Sequence, residues 1–145
     1  MNNIIPFLMA NWPLSLSALV LIIIIFGMEY RSRSMGVSLI TPHKAAMVMN
    51  KKSCQIIDIR SKEAFQKSHI NRAKNFSPEQ LKTETSLNKY KKDPIIVVCD
   101  NGLASKKAGA ALKSQGFEQI YAIEGGLAQW RKDSYPLTNA ETKNG

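Results

Sequence analysis

Pro94-Ile95-Ile96-Val97-Val98-Cys99-Asp100-Asn101-Gly102-Leu103-Ala104-Ser105-Lys106-Lys107 is the stretch on which the reading of this chain turns. Four β-favouring apolar residues run into a cysteine, the chain bends through Asp, Asn and Gly, and a helix-forming segment from Ser105 to Gln115 follows. The pattern predicts a strand, a tight loop and a helix start, with a thiol at the strand's carboxyl end. In open α/β sheets ligands bind in the crevice beyond the strand ends, where a helix N-terminus offers unpaired N–H groups and a favourable dipole. Such a position favours a thiolate and holds an anion attached to it, which makes Cys99 a candidate nucleophile. The competing reading is a cysteine that ends an apolar strand as inert filler.

Working outward, strands alternate with helical segments. Val37 to Ile40 can form a strand, and Thr41-Pro42 caps and opens a helix whose inner side holds Ala45, Ala46, Val48 and Met49. Lys51-Lys52-Ser53 turns the chain into a second apolar strand, Cys54 to Arg60, in which Cys54 packs as a small hydrophobe. Ser61 is an N-cap for Lys62 to Lys67, with Ala64 and Phe65 facing inward, and a short strand precedes Ser77-Pro78, which opens another helix. Polar residues from Lys82 to Asp93 lead back to Ile95. After the central helix Gly116 is a stop, Gln119 to Ile123 a last strand, and Gly125-Gly126 turns into a final helix holding Trp130. This alternation implies a mostly parallel sheet covered on both faces.

The 145 residues, 44% hydrophobic and 21% charged, suit one globular domain, but the apolar residues are unevenly spread. No side chain from Met1 to Met28 is charged, and the run from Leu14 to Met28 is almost continuously apolar. It lacks the positive n-region and small-residue cleavage site of a signal peptide, so an uncleaved anchor is expected, in contact with lipid through residues 12–30. Trp12 and Tyr30 sit where interfacial aromatics belong. Arg31 and Arg33 follow the span and no Lys or Arg precedes it, which places the C-terminal part in the cytoplasm behind an inner, single-pass membrane anchor. A cytoplasmic location keeps Cys54 and Cys99 reduced.

The net charge of +9 comes from lysines occurring singly or in pairs, with no long run and no interleaved aromatics, so nucleic acid is not an expected partner. A basic surface beside anionic lipid and an ordinary solvated face both account for it. The cysteines lack CxxC spacing and a His cluster, so no metal or other cofactor is expected.

Three segments carry a family resemblance. Asp58-Ile59-Arg60, continuing through His69-Ile70 to Ala73-Lys74-Asn75, resembles the first rhodanese signature, D-x-R-x-x-x-E/F-x-x-G-H-I-x-x-A-x-N. Gly125-Gly126-Leu127-Ala128-Gln129-Trp130 resembles the second, G-G-x-x-x-W, and Cys99 to Ser105 resembles the active loop, C-x-x-G-x-x-S. The resemblance implies a rhodanese-like domain at 34–137 with a five-stranded, mostly parallel sheet, between an anchor and basic flank at 1–33 and a polar tail at 138–145.

It further implies a sulfurtransferase carrying sulfane sulfur as a persulfide on Cys99. The donor would be thiosulfate or a protein persulfide, and the acceptor a thiol or cyanide-like nucleophile. The loop Asp100, Asn101, Gly102, Leu103, Ala104 and Ser105 would bind substrate, with Ser105 capping the helix and presenting a hydroxyl. Asp58, Arg60 and Lys106 would support the loop, an internal Asp58–Arg60 ion pair being the alternative role. His69, Gly125, Gly126 and Trp130 are assigned to packing and turns. The account needs the Cys99 thiol reachable by solvent within a ring of main-chain donors.

Departures from the pattern point to weak use of thiosulfate. Ala104 stands where arginine is frequent, Asp100 adds negative charge beside the thiol, and Ser68 replaces the glycine before the histidine. Phosphatase chemistry would need C-x5-R, and Ser105 stands where that arginine would be. A catalytically silent module that binds a membrane protein partner is the alternative function.

Overall fold

The structure, a computed structural model, describes residues 4–34, 36–51 and 53–140. It divides into two compact units, Met1–Ser34 and Met35–Gly145. The first holds helix α1 (Ile4–Ala10) and helix α2 (Trp12–Ser34). Within α2, Trp12–Tyr30 has a mean hydropathy of 2.0 and buries none of its side chains, so the helix is long and apolar enough to cross a membrane. The polar linker expected from Ser32 begins later, because Ser32 and Ser34 continue the last turn of α2. The side chains of Arg31 and Arg33, on which the orientation rests, lie outside the described residues, as do Lys52 and tail residues 141–145.

The second unit is built on a five-stranded, all-parallel sheet of order β1-β5-β4-β2-β3. Its strands are β1 (Ser38–Ile40), β2 (Gln55–Asp58), β3 (Lys74–Asn75), β4 (Pro94–Val98) and β5 (Gln119–Ile123). The helices between them are α3 (Pro42–Met49), α4 (Lys62–Lys67), α5 (Gln80–Thr83), α6 (Leu103–Ser114) and α7 (Gly126–Lys132). Every residue of β4 is buried, as a central strand covered on both faces requires. Its side chains alternate between two cores. Ile95 and Val97 pack with Leu81, Leu112 and Phe117 beneath α5 and α6, whereas Ile96 and Val98 pack with Ala45, Leu127 and Trp130 beneath α3 and α7. Cys54 lies in the second core, and burial pushes its thiol up from 9.0 to about 11 against the pull of Arg72 and Lys51.

Local signals explain the element ends. Thr41 accepts from the Lys44 amide with Pro42 in the first turn, and Ser61 accepts from the Ala64 amide. Ser77 and Gln80 form a reciprocal capping box, the Gln80 amide donating to Ser77 Oγ and the Ser77 amide to Gln80 Oε1, ahead of a single-turn α5. The stretch before β4 is less featureless than its polarity predicts. It contains a 3₁₀ turn at Asn88–Tyr90, and Leu87 is a core residue. Thr138, at the head of the predicted tail, pairs antiparallel with His69 through two backbone hydrogen bonds of 2.8 Å.

Candidate active site

The connection from β2 passes through α4 toward β3 at one edge, while that from β4 passes through α6 toward β5 on the other side. The two chains part beyond the carboxyl ends of adjacent strands, the position at which open α/β sheets bind ligands. Asp58 ends β2 and Cys99 directly follows β4, so the first signature and the active loop meet there.

The loop turns sharply because Gly102 adopts φ +87°, a conformation that disfavours any side chain. A Cβ there would also stand 3.0 Å from the Ile123 carbonyl oxygen. Asn101 Oδ1 accepts from the Leu103 amide at 3.1 Å, which satisfies one of the orphan donors of α6. The helix therefore begins at Leu103, two residues before the predicted Ser105. Ser105 is thus inside α6 rather than its cap, and it is fully buried. Its hydroxyl donates to the Gly102 carbonyl at 3.0 Å and lies 3.4 Å from Cys99 Sγ, placed to accept the thiol proton.

The Gly102 amide donates to Cys99 Sγ at 3.0 Å. Among the described residues this is the one main-chain donor bonded to the sulfur, where the sequence reading expected a ring of them. Cys99 is 4% exposed, so the residue meets solvent only slightly, less than the open thiol the sequence predicts. Asp100, with 72% of its side chain exposed, and Leu103, also 72% exposed, are at the surface, together with Asn101 and Ala104.

Asp58 and Arg60 form a buried pair with Nη2 2.7 Å from Oδ2, and the Arg60 Nε–H and backbone N–H both donate to Asp58 Oδ1 at 3.0 Å. Arg60 also reaches the loop, its Nη1 standing 3.6 Å from Asp100 Oδ1. The ion pair and the support of the loop are therefore one arrangement, and it offsets the Asp100 charge. Asn75 ties the same strand end by donating to the carbonyls of Asp58 and Arg60 at 3.0 and 2.9 Å. The sequence reading gave Asn75 no role, although its place as the last residue of the first signature marked it. Lys106 is half-buried on α6, and its side chain has no hydrogen bond or ion pair among the described residues.

Ser68 needs no glycine in its place, since its φ of −164° is extended. Its carbonyl accepts from Arg60 at 2.6 Å and its hydroxyl from Arg131 at 2.8 Å. His69 and Trp130 are buried, with His69 Nδ1 2.7 Å from the Phe65 carbonyl and Trp130 Nε1 donating to that of Pro136 at 3.1 Å. The glycine pair does more than turn the chain. The amides of Leu127 and Ala128 donate to the carbonyls of Cys99 and Asp100 at 2.9 Å, so the start of α7 holds the loop from behind. No group of three or more His, Cys, Asp or Glu that could hold a metal ion is found among the described residues.

The family model for the rhodanese-like domain matches residues 41–133. Protein YibN of Escherichia coli K12 is 28% identical over 97% of this chain and 100% of its own length, a match that takes in the apolar segment as well as the domain. Thiosulfate sulfurtransferase GlpE of Pseudomonas putida is 34% identical over 70% of this chain and 91% of its own. Among solved structures, the Rhodanese_3-like domain of the Anabaena protein Alr3790 is 28% identical, with a TM-score of 0.53 over 58% of this chain and 97% of that one.

Proposed function

This chain belongs to the rhodanese-like family, homologous to thiosulfate sulfurtransferases, and from that premise we propose that it moves sulfane sulfur through a persulfide on Cys99. In the first step a bond forms between Sγ and the donor's outer sulfur. The donor's own S–S bond breaks, its electron pair leaving on sulfite when thiosulfate is the donor or on a thiolate when it is a protein persulfide. In the second step a thiol or cyanide-like acceptor attacks the outer sulfur and the bonding pair returns to Sγ. The observation that carries this reading is the Gly102 N–H aimed at Sγ from 3.0 Å at the amino end of α6, where charge returns to the sulfur in each cycle. The Ser105 hydroxyl gives that charge a second partner by turning from the Gly102 carbonyl to the sulfur.

The loop presents no arginine, and Asp100 stands at its surface. A dianion is therefore a poorer donor than a persulfide carried on another protein, with Lys106 the nearest cation in sequence left to meet an incoming charge. We also place α2 in a bilayer, with the domain on the cytoplasmic side and the sulfur acceptor at the inner membrane surface. Turnover of the full chain with thiosulfate and cyanide, and with a desulfurase-generated protein persulfide and a thiol acceptor, tests the reading. Both activities are expected to vanish in Cys99→Ser, with the persulfide the faster donor. Equal rates in wild type and Cys99→Ser would leave the second reading, a silent module docking a membrane protein, which the buried Cys99 and the exposed Leu103 favour.

A further inference from the structure

The strands all run the same way, so the segments that precede them share one edge of the sheet, opposite the Cys99 loop. That edge is basic. Lys91 and Lys92 come just before β4, Lys51 comes shortly before β2, and Lys113 lies in the last turn of α6, the helix that returns the chain to this edge. Lys89 adds a further cation from the 3₁₀ turn. Its Nζ stands 5.0 Å from the centre of the Tyr90 ring and Lys91 Nζ 6.0 Å from that of Phe117, contacts that support the side chains without neutralising them. Lys113 Nζ donates to the Glu118 carbonyl at 3.0 Å. Among the described residues none of these lysines is in an ion pair, although Asp93 and Glu118 lie on the same edge. At the opposite edge the signs are mixed, Asp100 and Glu124 following β4 and β5 while Lys62 and Lys107 sit in the first turns of α4 and α6.

The chain enters the domain at this same edge. Val37 packs over Gly109 of α6, where an added Cβ would stand 2.8 Å from Val37 Cγ2. Gly36, at φ +65°, lies against the Lys113 side chain, whose Cγ would be 2.8 Å from a Cβ there. The entry point is thus fastened beside Lys113. Residues 35–37 alone separate α2 from β1, a reach of about 14 Å at full stretch. That is roughly two Debye lengths at physiological salt, so a bilayer that holds α2 keeps the basic edge near the range in which anionic headgroups attract lysines.

We propose that the lysines ahead of β2 and β4, with Lys113, dock the domain on anionic lipid headgroups, an inference that rests on α2 spanning the bilayer. Cys99 then stands a strand's length of about 17 Å from the headgroups, which sets the height at which a membrane-bound sulfur acceptor meets it. The test is the full chain in nanodiscs doped with a lipid that carries a gadolinium chelate on its headgroup. The amide signals of Gly116, beside Lys91, and Gly125, at the other edge, are followed by their relaxation enhancement. Mixing phosphatidylglycerol into phosphatidylcholine discs is expected to raise the enhancement at Gly116 severalfold and not at Gly125, and high salt to cancel the rise. Each lysine at an anionic surface favours the docked state about fivefold, so Lys91→Gln/Lys92→Gln removes most of the rise. Lys62→Gln/Lys107→Gln, which deletes the same charge at the other edge, keeps it. Equal enhancement in the two lipids, or a rise that survives Lys91→Gln/Lys92→Gln, overturns the docking and leaves the lysines to water or to an acidic protein. A chain that alkaline carbonate strips from membranes overturns the span and the docking together, whereas an anchored chain with Gly116 unmoved overturns the docking alone.

Discussion

Replacing Gly126 with alanine tests whether α7 shapes the Cys99 loop by close approach. A Cβ on Gly126 would stand 2.5 Å from the Cys99 carbonyl oxygen, 2.6 Å from the Gly102 nitrogen and 2.8 Å from the Asn101 nitrogen. All three are main-chain atoms of the loop, so no side chain can swing aside. Gly126 also has φ +59°, where an L-residue costs about 1–2 kcal/mol. Forcing one extra carbon into packed backbone costs roughly 1–3 kcal/mol more, for a total of about 2–5 kcal/mol. Gly116→Ala separates the two contributions, because Gly116 has φ +94° with nothing nearer than 3.9 Å to its added Cβ. The assay is denaturant unfolding of both variants beside wild type, with the rate of Cys99 sulfur loading measured on the folded fraction. Gly126→Ala is expected to lose more stability than Gly116→Ala by the clash contribution and to load sulfur far more slowly, while Gly116→Ala loads normally. Equal losses in the two variants, or a Gly126→Ala chain that loads at the wild-type rate, would refute the reasoning.

Three further perturbations probe other parts of the account. Ser105→Ala leaves the Gly102 carbonyl without its buried donor and removes the hydroxyl 3.4 Å from Sγ, so it is expected to cost about 1–3 kcal/mol in denaturant unfolding and to slow Cys99 alkylation by iodoacetamide; an unchanged alkylation rate would remove the hydroxyl from the chemistry. Arg60→Gln strands the buried Asp58 carboxylate and releases Asp100, for an expected loss of about 3–5 kcal/mol, part of it regained in the Asp58→Asn/Arg60→Gln double variant as measured by thermal unfolding. Burial raises the folded-state pKa of Cys54 to about 11 from 9.0, so its thiol ionises first in the unfolded chain. Its contribution is then complete below pH 9.0 and is lost as pH climbs through about 11, a decline that unfolding curves of Cys54→Ala, compared with wild type, should lack.

Much of this architecture could be read from residue order because the deciding signals are local. The unbroken apolar run of β4 announces a strand covered on both faces, and the caps at Thr41, Ser61 and Ser77 announce helix starts within a few residues of where they occur. What escaped depends on pairs far apart in sequence. Leu87 sits in a polar stretch and becomes core only because α5 and the 3₁₀ turn fold it under the sheet. Ser105, a good capping residue, predicts too late a start for α6, because the left-handed turn at Gly102 and the Asn101 side chain already do that work. The joint role of Arg60, bound to Asp58 and close to Asp100, needed two strand ends brought side by side. The burial of Cys99 is likewise a property of the packed loop, and no spacing in the sequence announces it.

Intact mass of the full chain after exposure to thiosulfate, polysulfide or a desulfurase-generated persulfide tests the central claim most directly. The account predicts addition of one sulfur atom, retained in Cys54→Ser and absent in Cys99→Ser. A chain that takes up no sulfur from any of the three donors, or one that carries it on Cys54, would contradict it.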